Sequence, residues 1–430
     1  MRNLTNNDTL QLNRPSCVDE YDPTTITVDV ARQFILDYIK PLASTDWERI
    51  PLRHSMDRVL AEDIIAEMNV PPYDNSAMDG FALHAIDIPQ NGTTTLKIVG
   101  DSLAGHPFLE ECSSGECIRI MTGAMIPAGC NTIIPQEHVE LLGAESIKID
   151  GRSRLGDNVR SAGEDIRLGQ TVLTCGRRLT AADLGLLSSL GVNNVAVIRR
   201  LRVAFFSTGD ELQATGEPLQ PGQIYDSNRY TLFGMLSRQH CDITDLGVVG
   251  DDPVHLYNTL ELAAKNHDVI ISSGGVSVGA ADYIHQVMSE LGEIVFWKVA
   301  MKPGRPLIFG RLQKALFFGL PGNPVAVMVS FNQFVQPALQ RFGGEILHPP
   351  LILRAQTRSL LKKRAGRTEY QRGILSQTPD GVSTVCKTGD QGSGILFSMS
   401  QANCFIVLTA DQTRVEIGST VIVQPFATWL

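Results

Sequence analysis

A chain of 430 residues, with 43% hydrophobic and 19% charged residues, is long enough for several ordinary globular domains. Its formal net charge of −9 excludes a broad basic surface for nucleic acid or anionic membrane, so an anionic ligand must be held by local donors. Eight cysteines and nine histidines are scattered without a C-x-x-C or H-E-x-x-H pair, which removes zinc and thioredoxin-like readings and leaves reduced thiols in the cytoplasm as the expectation.

Residues 1–24 are rich in Asn, Thr, Asp and Pro, carry no apolar secretory core and read as a loose tail. No stretch approaches the ~20 apolar residues of a membrane span. Hydrophobic spacing predicts a helix over 28–39 and a second over 55–60. The string Val70-Pro71-Pro72-Tyr73-Asp74-Asn75-Ser76-Ala77-Met78-Asp79-Gly80 reads as a loop entering a strand. From 94 to 174, short alternating runs broken by Gly, Pro and Asn predict small β-structure. A helix follows over 179–190, with Thr180 as N-cap and Gly191 beyond its end. A β-rich insert (68–166) is thus expected within a discontinuous helical domain (25–67 and 167–199).

Residues 200–345 alternate strand and helix. Strands are expected over 201–206, 243–249, 268–272, 294–299, 307–309 and 316–318, and helices over 229–239, 253–265, 281–291 and 324–342. That alternation predicts a doubly wound, mostly parallel α/β sheet. Residues 346–430 return to short strands, a small closed or sandwiched β domain.

Polar residues of the α/β region collect where strands end: Ser207-Thr208-Gly209-Asp210-Glu211, Gly250-Asp251-Asp252, and Ser273-Gly274-Gly275-Val276-Ser277-Val278-Gly279 followed by Asp282. Open α/β sheets hold ligands at the carboxyl ends of their strands. Carboxylates gathered there repel one another unless a cation shares them, and Mg²⁺ is the economical choice; the competing reading makes Asp252 and Asp282 helix caps. Glycines let backbone N–H groups approach an anion, and Lys298, Lys302 and Arg305 add charge near the same rim. Neither G-x-x-x-x-G-K-[ST] nor a strand-linked G-x-G-x-x-G is present. The reading is a site for a phosphorylated ligand with a divalent metal. A second polar group, Asp74, Asn75, Asp79, Met121-Thr122-Gly123-Ala124 and Arg160–Ile166, lies in the insert.

These motifs, with Lys302-Pro303-Gly304 and Leu320-Pro321-Gly322-Asn323-Pro324, resemble in order and spacing those of the molybdopterin molybdenumtransferase family (MoeA, gephyrin E domain) over residues 25–430. The resemblance implies four domains, a homodimer, and insertion of molybdate into adenylyl-molybdopterin with release of AMP, assisted by Mg²⁺. It also implies transient contact with the adenylylating protein and with molybdoenzyme maturation proteins. Carried residue by residue, it makes Asp79, Thr122, Asp165, Glu211, Lys298 and Lys302 catalytic and Asp251 and Asp282 metal or nucleotide ligands. Ser207, Thr208, Gly209, Gly274, Gly275, Ser277, Gly279, Arg305, Arg367 and Ser393 are then substrate- or phosphate-binding. Ala162, Gly250 and Ala280 depart from the more polar residues common at their positions, which bears on affinity and not on reaction class. The alternatives are a non-catalytic molybdopterin carrier or scaffold on the same fold, and a nucleotide-dependent enzyme of another pathway. Molybdate and tungstate, tetrahedral dianions of nearly equal size, are not separated by sequence.

Overall fold

The computed structural model describes residues 25–42, 45–250, 252–275 and 281–426. They fall into two compact units, Trp47–Val197 and the remainder of the chain.

In the larger unit a six-stranded sheet runs in the order Asp242–Val249, Arg202–Thr208, Val269–Ser273, Ala315–Leu320, Pro306–Leu312, Gly292–Lys298. The first four pair in parallel, while Pro306–Leu312 runs antiparallel to both of its neighbours. Successive residues of a strand point to opposite faces. Here Val203, Phe205, Ile271 and Phe318 enter one core, and Ala204, Phe206, Ile270 and Phe317 enter another. The second core is closed by helices Pro253–Asn266 and Ala281–Leu291. All six expected strands and the four expected helices are present, with shifted ends. The chain leaves Arg202–Thr208 for the edge strand and returns on the other side at Val269–Ser273. Their carboxyl ends therefore form the crevice where such sheets bind ligands.

The helix expected over 324–342 is one rod with a break of register: α-helix Pro324–Ser330, π-helix Phe331–Val335, α-helix Gln336–Phe342. Pro337 has no N–H to give the carbonyl four residues back, so the carbonyl of Gln333 is released. The Arg32 Nε–H donates to it at 3.1 Å, and the same guanidinium reaches Gln333 Oε1 at 2.5 Å. This contact, with burial of Val28, Ala31 and Ile35, packs helix Val28–Tyr38 into the α/β core. The expected grouping of residues 25–46 with the segments around the insert is corrected accordingly. An amphipathic stripe says that a helix is buried, not against what.

Residues 353–425 close a small barrel. Thr368–Gln377 pairs with both Ser383–Lys387 and Cys404–Leu408, and the ring is completed through Leu353–Thr357 and Thr420–Pro425. Thr368–Gln377 also takes the α/β strand Met301–Lys302 as a parallel partner, pairing Met301 with Thr368 and Lys302 with Glu369.

The smaller unit holds a second six-stranded sheet, ordered Thr132–Pro135, Gly80–Leu83, Glu116–Ile120, Thr93–Ser102, Ser146–Asp150, Glu140–Leu141. Its flanks contribute one α-helix, Ala181–Ser189, started by a Thr180–Asp183 capping box and followed by Gly191 at φ +75°. The helix expected over 55–60 is instead a 3₁₀ turn, Leu52–His54, then a turn at Met56–Asp57 and the bridge residues Val59 and Leu60. Asp57 adopts φ +62°, and the Leu60 backbone bonds across to Arg177 while its side chain is buried. A left-handed residue and cross-chain partners end a helix before it can start. Among the described residues no helix is long and apolar enough to cross a membrane.

Candidate functional site

The crevice at the sheet's carboxyl end is built from backbone. Gly274 takes φ +92°, and a Cβ there would lie 2.2 Å from the carbonyl oxygen of Thr208, so the turn accepts only glycine. Its N–H is spent on the Leu320 carbonyl at 3.1 Å. Asn228 Nδ2 clamps the crevice by donating to Ser273 Oγ (2.9 Å) and to the Gly322 carbonyl (2.6 Å). Near the clamp, Ser207 Oγ, Ser272 Oγ, Asn228 Oδ1 and Asp226 Oδ2 are buried with no hydrogen-bond partner among the described residues. Buried polar atoms are normally paired, so these oxygens are available as acceptors to a polar guest at the strand ends.

A cleft of about 1020 Å³ opens between the α/β region and the barrel. One wall is Lys302-Pro303-Gly304-Arg305 with Asn323, and the other carries Lys362, Arg367 and Lys387 with Gln391-Gly392-Ser393. Gly304 takes φ +98°, and a Cβ would approach Ser330 Oγ to 2.6 Å, which lets the backbone of this wall lie against the helix behind it. Asn323 begins helix Pro324–Ser330, as expected, but its side chain makes no capping bond and lines the cleft instead. Five lysines and arginines against two carboxylates, Glu369 and Asp390, make the cleft an anion site inside an acidic protein.

The floor is fixed by residues that the motifs did not reveal. Arg372 is fully buried, and its guanidinium donates to the carbonyls of Asp390 (3.1 Å), Gln391 (3.0 Å) and Gly392 (2.9 Å) and to Ser398 Oγ. Burial lowers its pKa, opposed by the charge of Glu369. It thereby shapes the loop that presents Ser393. Lys363 Nζ plays a similar part elsewhere on the same wall, donating to the carbonyls of Arg364, Arg367 and Ala410, and burial holds its pKa below the usual lysine value. The signal was the string Thr368-Glu369-Tyr370-Gln371-Arg372-Gly373, a strand polar at nearly every second position on both faces.

In the smaller unit the three polar runs converge. Asp79 accepts the Thr122 N–H (2.7 Å) and hydroxyl (2.8 Å), and Asp74 accepts the Ala162 N–H (2.7 Å). Asp165 is tied by its N–H to the Val70 carbonyl, and Gly123 to that of Ser76. The backbone N–H of Thr122, then its hydroxyl, hold the Asp79 carboxyl below the usual carboxylate range.

Of the residues singled out from sequence, Lys302, Arg305, Arg367 and Ser393 meet in the cleft. Ser207, Thr208, Gly274 and Gly275 meet at the strand ends, and Asp79 and Thr122 pair in the insert with Asp165 on the adjoining loop. Gly209 sits at φ +149° with the Glu211 carboxylate folded over it. Lys298 ends strand Gly292–Lys298 opposite Pro306, outside the lining of the cleft. Asp252 is a helix cap, accepting the His255 N–H at 2.7 Å. Asp251, Ser277 and Gly279 lie outside the described residues, and Asp282 is placed only as the second residue of helix Ala281–Leu291. The thiols are structural where buried: desolvation pushes Cys117 and Cys404 up to about 12.

A doubly wound sheet with a glycine turn at its switch point, and a cationic cleft closed by a small barrel, defines an anion-binding α/β protein. Models of the MoeA N-terminal region (domain I and II), a probable molybdopterin binding domain and the MoeA C-terminal region (domain IV) match residues 26–191, 204–341 and 354–426. The chain is 42% identical over 403 residues to the molybdopterin molybdenumtransferase of Haemophilus influenzae, covering 93% of this chain and 98% of that one. It is 32% identical over 412 residues to the molybdopterin molybdenumtransferase of Bacillus subtilis, covering 93% of each. It superposes on a crystal structure of the molybdopterin biosynthesis moeA protein of Pyrococcus horikoshii with a TM-score of 0.81 at 30% identity, covering 94% of this chain and all of that one. The chain belongs to the molybdopterin molybdenumtransferase family.

Proposed function

We propose that this protein inserts molybdenum from molybdate into the dithiolene of adenylyl-molybdopterin and releases AMP. The observation that carries the reading is the meeting of Lys302, Arg305, Arg367 and Ser393 around one cleft, in a chain whose relatives bear the transferase name. Phosphates are recognised by fixed guanidinium and ammonium donors, and charge that grows on the leaving phosphate is stabilised best by donors already in place. Arg372 and Lys363 brace the barrel wall before the ligand arrives. Ser393 and Asn323 supply neutral donors that fix orientation without adding charge.

The oxygen donors at the strand ends, with the orphan Oδ2 of the helix cap Asp226, suit a hard cation such as Mg²⁺, with Asp251 and Asp282 as its carboxylates in this proposal. Bound there, the cation would neutralise pyrophosphate charge. Glu211 and Lys298 belong to the same proposed rim, and Asp79, Thr122 and Asp165 to the polar site of the insert. A homodimer in the cytoplasm completes the reading, supported by the family membership alone.

The test is incubation of the purified protein with adenylyl-molybdopterin, Mg²⁺ and molybdate, following AMP and active cofactor together. Molybdate-dependent release of AMP with cofactor formed is the expected result. Tight pterin binding without either product would make the protein a carrier. Light scattering reports the dimer, and omission of Mg²⁺ the cation.

A further inference from the structure

Lys302 projects into the cleft from a two-residue strand, and a flexible four-carbon stem would leave its ammonium free to wander. Its cross-strand partner is Glu369, whose Oε2 lies 3.4 Å from Lys302 Nζ. The Glu369 side chain is only 7% exposed, against 52% for Lys302. Its other oxygen, Oε1, accepts the Gln371 Nε2–H at 2.8 Å, and the same amide nitrogen donates to the Lys362 carbonyl at 3.2 Å. Gln371 is itself buried. The carboxylate is thus held against rotation, one oxygen committed to the barrel and the other turned to the lysine. A buried carboxylate requires a cation, and Glu369 also feels Lys363 and Arg372. It is therefore a fixed negative post under an exposed ammonium of the cleft, and it lies on the barrel while Lys302 lies on the α/β region.

We propose that Glu369 is the positioning residue for Lys302, fixing the ammonium where it meets the substrate's phosphates, with Gln371 setting the angle of the carboxylate. The inference rests on the transferase reading for the identity of the substrate and on geometry alone for the coupling of the two side chains.

A double-mutant cycle tests it. Glu369→Gln keeps the shape and an acceptor for Gln371 but removes the charge. With Lys302 present, kcat/KM for AMP release should fall about tenfold; with Lys302→Met it should change by less than about twofold. Glu369→Asp should recover most of the loss, because the long lysine can follow a carboxylate drawn back by one methylene. Equal losses in both backgrounds, or unchanged or raised kcat/KM in Glu369→Gln, would overturn the proposal. Should Glu369→Gln fail to fold, Gln371→Leu frees the carboxylate without discharging it, and about a threefold loss confined to the Lys302 background is expected. The same cycle read by calorimetric titration with inorganic pyrophosphate needs no turnover. A wild-type protein that releases no AMP would sink the transferase reading, while the pyrophosphate cycle would still judge Glu369.

Discussion

Asp79 accepts two hydrogen bonds from Thr122, 43 residues further along the chain, one from the backbone N–H and one from the hydroxyl. Both act on the charged form of the carboxylate, and the backbone donor is the larger cause of its lowered pKa. Replacing Thr122 with Val removes only the hydroxyl. The Asp79 carboxyl should then titrate closer to its ordinary value yet stay below it, as read by carboxyl NMR. The sign follows from the depressed folded value: the paired form is complete above the ordinary carboxylate range and is lost as pH falls through the folded pKa. A Thr122→Val titration identical to wild type would show that the hydroxyl contributes nothing.

That pairing was half legible. Asp79 and Thr122 stood out as polar residues in runs without hydrophobic periodicity, but no periodicity tells which distant loop meets which. The α/β strands were legible for the opposite reason: runs such as Val203-Ala204-Phe205-Phe206 are buried on both faces and read as continuous apolar segments. The barrel's polar floor was legible only as a strand polar on both faces, with nothing to say that it is buried. Glu369, Gln371 and Arg372 are buried only because each finds a partner in another segment, and a sequence read alone assigns such residues to solvent. Helix 28–38 was seen as a helix and misplaced, since its docking depends on a carbonyl freed by Pro337, some three hundred residues away.

Arg372 offers a stability test. Arg372→Met keeps much of the volume but leaves three carbonyls of the Asp390–Gly392 loop without their donor. Removing these donors from part-buried acceptors, along with the buried bonds to Ser398, should cost about 1–3 kcal/mol of unfolding free energy, measured in urea. Pyrophosphate binding should weaken as the loop bearing Ser393 loosens. A loss below about 0.5 kcal/mol would mean that water replaces the guanidinium.

Asp268 gives a pH test. Burial pushes its carboxyl up, but hydrogen bonds from Arg199 (2.7 and 3.0 Å) and from the Arg202 N–H (2.8 Å) and guanidinium outweigh burial and hold it below the usual range. Its stabilising contribution is therefore present above the ordinary carboxylate value and is lost as pH falls through the depressed folded one. Asp268→Asn should cost about 3 kcal/mol at neutral pH and flatten the acid limb of stability against pH. An acid limb as steep in the variant as in wild type would assign acid lability to other groups.

Arg32 and Pro337 are linked through the Gln333 carbonyl. With Pro337 in place that carbonyl has no N–H four residues on, and Arg32 supplies the donor from a different helix. Arg32→Met should therefore cost about 1–3 kcal/mol, the penalty of an unpaired buried acceptor together with the lost bond to Gln333 Oε1. Pro337→Ala restores an N–H to the rod, letting the π-helical turn relax toward α-helix and giving the carbonyl a local partner. In that background Arg32→Met should cost less than in wild type by about 1 kcal/mol, a coupling readable from urea unfolding of the four proteins. Additive costs would mean that Arg32 stabilises the docked helix through packing and its contact with Gln333 Oε1, with the proline-freed carbonyl playing no part.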